Sequence, residues 1–157
     1  MSLTEPHTHR AGFITLVGRP NVGKSTLLNQ VVGTTLAAVA NKPQTTRNRI
    51  IGILNRPNAQ LVFVDTPGIH HAKTPLNARL VTTARQALGD GDVAVLVVDA
   101  AAGVTPGDRE VAAEVANQPA VVVALTKSDL VGRMAMIPVC AAAQTLLPAA
   151  DVVPVSG

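Results

Sequence analysis

A glycine-rich segment early in the chain has the residue types and spacing of a phosphate-binding loop. It follows an apolar run at residues 13–17, precedes a helix-like segment, and fits the pattern G-x-x-x-x-G-K-[ST]. Its glycines let backbone N–H groups converge on one anion, and the dipole of the following helix adds positive charge there. Lys24 would reach the β and γ phosphates, and the Ser25 hydroxyl would bind Mg²⁺. We therefore predict nucleoside triphosphate binding by Gly18, Arg19, Pro20, Asn21, Val22, Gly23, Lys24, Ser25 and Thr26.

A second segment, Asp65, Thr66, Pro67 and Gly68, directly follows an apolar run at residues 60–64. An acidic residue at the carboxyl end of a strand, beside a phosphate loop, can hold the hydration shell of Mg²⁺. Gly68 has no Cβ, so its N–H could approach a γ phosphate closely. Asp-Thr-Pro-Gly alone is an ordinary turn sequence. The preceding strand and phosphate loop favour its interpretation as a second part of the nucleotide site.

A third segment, Thr126, Lys127, Ser128 and Asp129, follows the apolar run at residues 120–125. The Asp129 carboxylate could accept hydrogen bonds from the ring N1–H and the exocyclic amine of guanine. Adenine has neither donor at those positions, so a buried carboxylate would be left unpaired against ATP. The Lys127 stem would lie along the purine face. A helix-capping turn is the alternative, but the position at a strand end favours guanine recognition over a phosphate-loop ATPase or kinase.

Composition is typical of one compact, aliphatic domain. Of the 157 residues, 47% are hydrophobic and only Phe13 and Phe63 are aromatic, so the core must consist mainly of Val, Ile, Leu and Ala. Such a core suits a sheet covered on both faces by helices. The single cysteine, Cys140, excludes an internal disulfide. A net charge of +3 is too small to indicate nucleic-acid binding by itself. The chain has no apolar run of membrane-spanning length, and we expect a cytoplasmic protein.

Short apolar runs alternate with segments of helical length along the chain. Parallel strands are predicted at residues 13–17, 60–64, 93–98, 120–125 and 152–155, and an antiparallel strand is predicted at 49–54. Helices are expected from Thr74-Pro75 to residue 88 and, after a capping box at Thr105 and Asp108, to about residue 117. Pro138 should kink or delay a further helix at residues 133–147. We predict a three-layer α/β phosphate-loop sandwich with a six-stranded, mostly parallel sheet and one antiparallel edge strand.

From about residue 12 onward the chain resembles the Era-like GTPases, a bacterial ribosome-assembly group of the translation-factor-related class. The resemblance depends on the phosphate loop, on Gln-Thr-Thr-Arg at residues 44–47, and on Asp-Thr-Pro-Gly-Ile-His at residues 65–70. It implies GTP and GDP as ligands, with Mg²⁺ held by Ser25, Thr46 and Asp65. It also implies that Thr46, or less favourably Thr45, closes over the γ phosphate. Ser156 would belong to the last nucleotide loop.

The chain departs from the family pattern in three respects. Thr126 replaces the Asn of the Asn-Lys-x-Asp motif, which should preserve guanine selectivity with altered affinity. The Ser-Ala of the family's last nucleotide loop is Ser156-Gly157 here, and the chain stops at Gly157. We therefore expect a flexible tail at residues 1–10 and a G domain at residues 11–157 that lacks the last helix and the RNA-binding KH domain. Small-subunit ribosomal RNA and the ribosome are partners by resemblance only.

The resemblance also implies a mechanism of hydrolysis. Asn21, Lys24, Thr46 and Gly68 would be the catalytic residues, acting mainly through positioning and charge stabilisation. Ile69 occupies the place where Ras-like GTPases have a water-orienting Gln, so intrinsic turnover should be slow. His70 or a K⁺ ion held by Asn21 could assist. The alternative is a guanine-nucleotide-binding module without effective turnover or an RNA target.

Overall fold

A computed structural model of the protein describes residues 9–33, 50–67 and 75–156. Within these ranges the chain forms one six-stranded sheet in the order β2-β3-β1-β4-β5-β6. Strand β2 pairs antiparallel with β3 at one edge, and the other neighbouring strands are parallel. The strands are β1 (Arg10–Val17), β2 (Ile50–Arg56), β3 (Ala59–Asp65), β4 (Val93–Asp99), β5 (Val121–Thr126) and β6 (Asp151–Pro154). The predicted fold class is confirmed.

Helices cover both faces of this sheet. They are α1 (Lys24–Val32), α2 (Pro75–Gly89), α3 (Pro106–Val115) and α4 (Arg133–Leu146). On one face, Leu28 of α1 packs with Leu16 and Phe63. On the other face, buried aliphatic residues of α2, α3 and α4 pack on β1, β4 and β5 in a second, larger core. None of the helices in the described ranges combines the length and the apolar character that a membrane span requires.

The parallel arrangement brings the carboxyl ends of several strands to one edge of the sheet. In the strand register, Leu16 of β1 lies opposite Asp65 of β3, and Asp99 of β4 lies opposite Thr126 of β5. Ligands of open α/β sheets bind outside the carboxyl ends of the strands. The three segments singled out in the sequence therefore meet at this edge.

Most predicted elements are confirmed, with shifts at their ends. Strand β1 begins three residues earlier than predicted because it pairs with β3 from Ala59, and the Arg10 N–H donates to the Asn58 carbonyl at 3.0 Å. The capping box at the start of α3 is present, with Thr105 as N-cap. The predicted N-cap Thr74 lies outside the described residues.

Helix α4 differs from the expectation of a late start. It begins at Arg133 and continues through Pro138 to Leu146. Pro138 lacks the N–H that would bond to the Met134 carbonyl, and its ring crowds that carbonyl. Met134 lies in the exposed first turn of the helix, with 77% of its surface accessible, so water can replace the lost hydrogen bond.

Candidate nucleotide-binding site

The phosphate loop connects β1 to α1 and turns tightly against β4. Gly23 adopts a left-handed conformation (φ 100°) as the N-cap of α1, which favours glycine at that position. A Cβ on Gly18 would lie 2.5 Å from the Val97 carbonyl oxygen, so a larger residue would push the loop away from the sheet. Val22 is buried in the protein with 1% exposure. The loop is thus fixed by packing before any ligand is considered.

Lys24 is a buried cation at the base of this loop. Its Nζ donates to the carbonyl oxygens of Arg19 at 2.8 Å and Gly18 at 3.2 Å, and only 6% of the residue is exposed. Burial lowers the pKa of the Lys24 ammonium to about 8, although the nearby Asp65 carboxylate partly opposes this effect. At neutral pH the side chain is still charged. A buried ammonium held by backbone carbonyls suits a strongly anionic ligand such as a phosphate.

Ser25 and Asp65 form an oxygen-rich pair beside Lys24. The Ser25 hydroxyl donates to Oδ2 of Asp65 at 2.8 Å, and Asp65 is fully buried at the end of β3. The adjacent Thr66 hydroxyl donates to the Leu16 carbonyl at 2.7 Å and so ties the following loop to β1. A hydroxyl and a carboxylate are ligands that Mg²⁺ prefers. The donor set of these residues therefore fits a magnesium ion.

Thr126, the last residue of β5, and the following Lys127 attach the third segment to the phosphate loop. The Thr126 hydroxyl donates to the Val22 carbonyl and lies 3.1 Å from the carbonyl oxygen of Val98. Lys127 Nζ lies 3.3 Å from the Asn21 carbonyl oxygen and 2.5 Å from Oδ2 of Asp99. Thr126 thus provides a direct link to the phosphate loop from the position where the family pattern has Asn.

A cavity of about 270 Å³ lies between the start of α1 and the third segment. Asp129 lies at its rim on a single 3-10 turn at Ser128–Leu130. The residue is exposed to solvent, contrary to the burial expected from the sequence, because this turn lies at the protein surface. The Ser128 N–H donates to the Val155 carbonyl at 3.2 Å, which holds the segment around Ser156 next to this turn. The lining residues are Gly23, Thr26, Leu27, Thr126, Lys127, Asp129, Leu130, Val155 and Ser156.

The structure brings most of the predicted site residues together. The phosphate loop, the Ser25–Asp65 pair, the third segment and Ser156 all lie at the carboxyl edge of the sheet. Pro67 is buried beside Thr66. Four predicted residues lie outside the described parts of the chain: Thr45, Thr46, Gly68 and Ile69. Their roles remain predictions, as do the chemical roles of the others.

Two acidic residues were not assigned to the site from the sequence. Asp99 at the end of β4 accepts hydrogen bonds from Lys127 and from the N–H groups of Ala101 and Ala102. Burial acts to raise the pKa of Asp99, but these hydrogen bonds outweigh it and the pKa is lowered. The strand-end rule applied to Asp65 would have found Asp99. For Asp108 the sequence predicts only a helix cap, yet its carboxylate also contacts Arg19 at 2.9 Å.

Removal of the Thr126 hydroxyl tests the link between the third segment and the phosphate loop. We expect Thr126→Val to lower the free energy of unfolding by about 1–3 kcal/mol, because it leaves the buried Val22 carbonyl without its donor. Thr126→Ser keeps the hydroxyl and should lose much less. Urea denaturation of the three proteins measures this difference. Equal stability of Thr126→Val and the wild type would show that the hydroxyl contributes nothing.

Fold and site together define a phosphate-loop nucleotide-binding domain of the GTPase type. Residues 13–127 match the family described as 50S ribosome-binding GTPase. The chain belongs to this family.

Individual relatives are named GTPase Era. The chain is 46% identical to GTPase Era of Syntrophus aciditrophicus (strain SB) over 148 residues, which cover 94% of this chain and 48% of that protein. A crystal structure of Era in complex with MgGDPNP and 16S ribosomal RNA superposes with a TM-score of 0.88 at 37% identity, covering 94% of this chain and 51% of that one.

A second structure, a variant of Aquifex aeolicus Era bound to GDP and AlF4⁻, has a TM-score of 0.86 at 37% identity and covers 93% and 51% of the two chains. The chain spans about half the length of these relatives. The resemblance to the Era-like GTPases stated from the sequence is confirmed for the G domain.

Proposed function

We propose that this protein binds Mg²⁺ and GTP and hydrolyses GTP to GDP as a molecular switch. The observation that carries the proposal is the convergence of three separate segments at one sheet edge. They bring a buried ammonium (Lys24), a hydroxyl–carboxylate pair (Ser25 and Asp65) and a cavity with a carboxylate at its rim (Asp129) into one site. Each element suits a different part of a guanine nucleotide.

The phosphates would occupy the concave side of the phosphate loop. Lys24 would interact with the β and γ phosphates, supported by loop N–H groups and by the dipole of α1. Ser25 and Asp65 would hold Mg²⁺, together with Thr46. When bound, the metal ion supplies charge that stabilises the phosphate oxygens.

The base would occupy the cavity between α1 and the third segment. Asp129 would accept hydrogen bonds from guanine, and the apolar stem of Lys127 would lie along the ring. The ammonium group of Lys127 is held between Asp99 and the Asn21 carbonyl, which fixes the direction of its stem. The backbone near Ser156 would face the guanine oxygen. This arrangement favours GTP over ATP because adenine lacks the matching donors.

Hydrolysis would proceed by in-line attack of water on the γ phosphorus. The bond from the γ phosphorus to the β–γ bridging oxygen breaks, GDP leaves, and the proton of the attacking water passes to the phosphate product or to solvent. Lys24 stabilises charge on the phosphates, and Gly68 and Thr46 are proposed to close on the γ phosphate. With Ile69 in place of a water-orienting Gln, intrinsic turnover should be slow. A K⁺ ion held with the help of Asn21 would supply additional positive charge to the phosphates.

The biological role proposed is assembly of the small ribosomal subunit in the cytoplasm. It is supported by the resemblance to the Era-like GTPases and by the 16S ribosomal RNA present in one of the Era structures. The alternative is a module that binds guanine nucleotides without effective turnover or an RNA target. Retention of small-subunit RNA on the immobilised protein, compared between GTP-analogue and GDP states, separates these two roles.

A turnover assay tests the proposed activity directly. With Mg²⁺ present we expect the purified protein to release phosphate from GTP and not from ATP. In KCl the rate should exceed that in NaCl by about tenfold, because one fixed cation near the β–γ bridge acts as a preorganised charge.

The matched variant for this assay is Asn21→Ala. It should hydrolyse GTP at the sodium rate in both salts. Equal rates of the wild type in KCl and NaCl would remove the potassium hypothesis. Tight GDP binding with no phosphate release in either salt would favour the binding module.

A further inference from the structure

We infer that Arg19 is a positioning residue of the phosphate loop, anchored by Asp108 at the start of α3. The inference rests on the proposed function, since it concerns how the loop is held ready for phosphates. Arg19 Nε donates to Oδ1 of Asp108 at 2.9 Å, although 89 positions separate the two residues. The pair joins the loop after β1 to a helix that follows β4.

The Asp108 carboxylate is fully buried and each of its oxygens has a distinct partner. Oδ2 accepts from the Thr105 N–H at 2.8 Å, and the Asp108 N–H donates to the Thr105 hydroxyl oxygen at 3.4 Å; these two bonds form the capping box of α3. Oδ1 accepts from Arg19. A capping box needs only one of the two oxygens. The other oxygen, Oδ1, is therefore available to bind Arg19 of the phosphate loop.

The Arg19 side chain packs closely against the start of α3. Its aliphatic part lies against Gly107, where an added Cβ would come within 2.5 Å of Arg19 Cδ. The side chain keeps 26% of its surface exposed, and its ion-pair partner keeps none. Pro20 follows directly and confines the Arg19 backbone to extended conformations. Both the side chain and the backbone of Arg19 are therefore held.

The consequence reaches Lys24 through the Arg19 backbone. The Arg19 carbonyl is the nearer of the two oxygens that accept hydrogen bonds from Lys24 Nζ, at 2.8 Å. Pro20 limits the local backbone conformation, but it is the Arg19 side chain that ties this segment to α3. Loss of that tie would let the segment and its carbonyl shift relative to Lys24, which leaves the ammonium less well oriented toward phosphates. A loosened loop would then have to be ordered during binding, which weakens affinity.

Affinity for GDP in four variants tests the inference. We expect Arg19→Gln to weaken GDP binding about tenfold, the effect of one hydrogen bond to a charged group. Asp108→Asn should weaken it by a similar factor, and the double variant should lose little more than either single variant. Thr105→Ala is the matched control: it damages the same capping box but keeps the Arg19–Asp108 pair, so it should lower the thermal midpoint without changing GDP affinity.

A double-mutant cycle that combines Arg19→Gln with Lys24→Met distinguishes a positioning role of Arg19 from a purely structural one. If Arg19 acts through Lys24, Arg19→Gln should cost little further GDP affinity in the Lys24→Met protein. Arg19→Lys, which keeps a cation, should recover part of the loss. Unchanged GDP affinity in Arg19→Gln, or the same tenfold loss in the presence and absence of Lys24, would overturn the inference. Failure of the wild type to bind GDP would contradict the proposed function instead.

Discussion

Asp129→Asn is expected to transfer nucleotide preference from guanine to xanthine. GDP affinity should fall by a factor of about 10²–10³, since two hydrogen bonds to a carboxylate are lost and a mismatched amide takes its place. Xanthosine diphosphate should bind more tightly than it does to the wild type, because the xanthine oxygen at C2 can accept from the new amide. Titration with fluorescent GDP and xanthosine diphosphate, with an ADP analogue as reference, measures both changes.

A change in protein stability should not account for the change in nucleotide affinity of Asp129→Asn. Asp129 is exposed on a short surface turn, so its substitution should leave the thermal midpoint nearly unchanged. Asp151→Asn is a suitable control because it removes one exposed carboxylate at the start of β6, with no predicted contact to the base. The specificity assignment fails if Asp129→Asn binds GDP and xanthosine diphosphate as the wild type does.

The architecture was predictable from the sequence because each strand and helix has a local signal. Apolar runs of strand length alternate with helical segments, and the capping box at Thr105 and Asp108 identifies the start of α3 to the residue. The strand-end positions of Asp65 and Asp129 placed both residues at one edge once the sheet was taken to be parallel. For the site, motif spacing and the rule that parallel strands end at the same sheet edge were sufficient to predict that these distant residues lie close together.

Contacts between elements were not predictable in the same way. The Arg19–Asp108 pair and the Asp99–Lys127 pair depend on loop paths and on side-chain directions that no periodicity encodes. Pro138 shows a related limit: a helix breaker is tolerated where the lost hydrogen bond falls in an exposed first turn. Whether two distant side chains pair, or a proline is tolerated in a helix, depends on the three-dimensional surroundings. Sequence periodicity does not contain that information.

Lys24→Met is expected to weaken GDP binding about hundredfold, the effect of losing hydrogen bonds from a buried charge to phosphates. The same variant should reveal what the buried ammonium costs the nucleotide-free protein. The pKa of Lys24 is about 8 in the folded protein, lowered from 10.5, mainly by burial. Removing the ammonium should therefore remove the cost of burying a charge in the folded, nucleotide-free protein.

The lowered pKa of Lys24 predicts that the stability of the nucleotide-free protein rises with pH. Between pH 8 and 10.5 the unfolded chain keeps a proton that the folded protein has released, so the contribution of Lys24 to the free energy of unfolding rises with pH. Below pH 8 both states are protonated and the penalty is fully present. Relative to Lys24→Met, the wild type should gain up to about 3 kcal/mol across this window. Denaturation at pH 7 and pH 10 without nucleotide measures the gain. Lys24→Arg stays charged throughout this window, so its free energy of unfolding should show no such gain. If the difference in free energy of unfolding between the wild type and Lys24→Met is the same at both pH values, the pKa of Lys24 is not lowered by its burial.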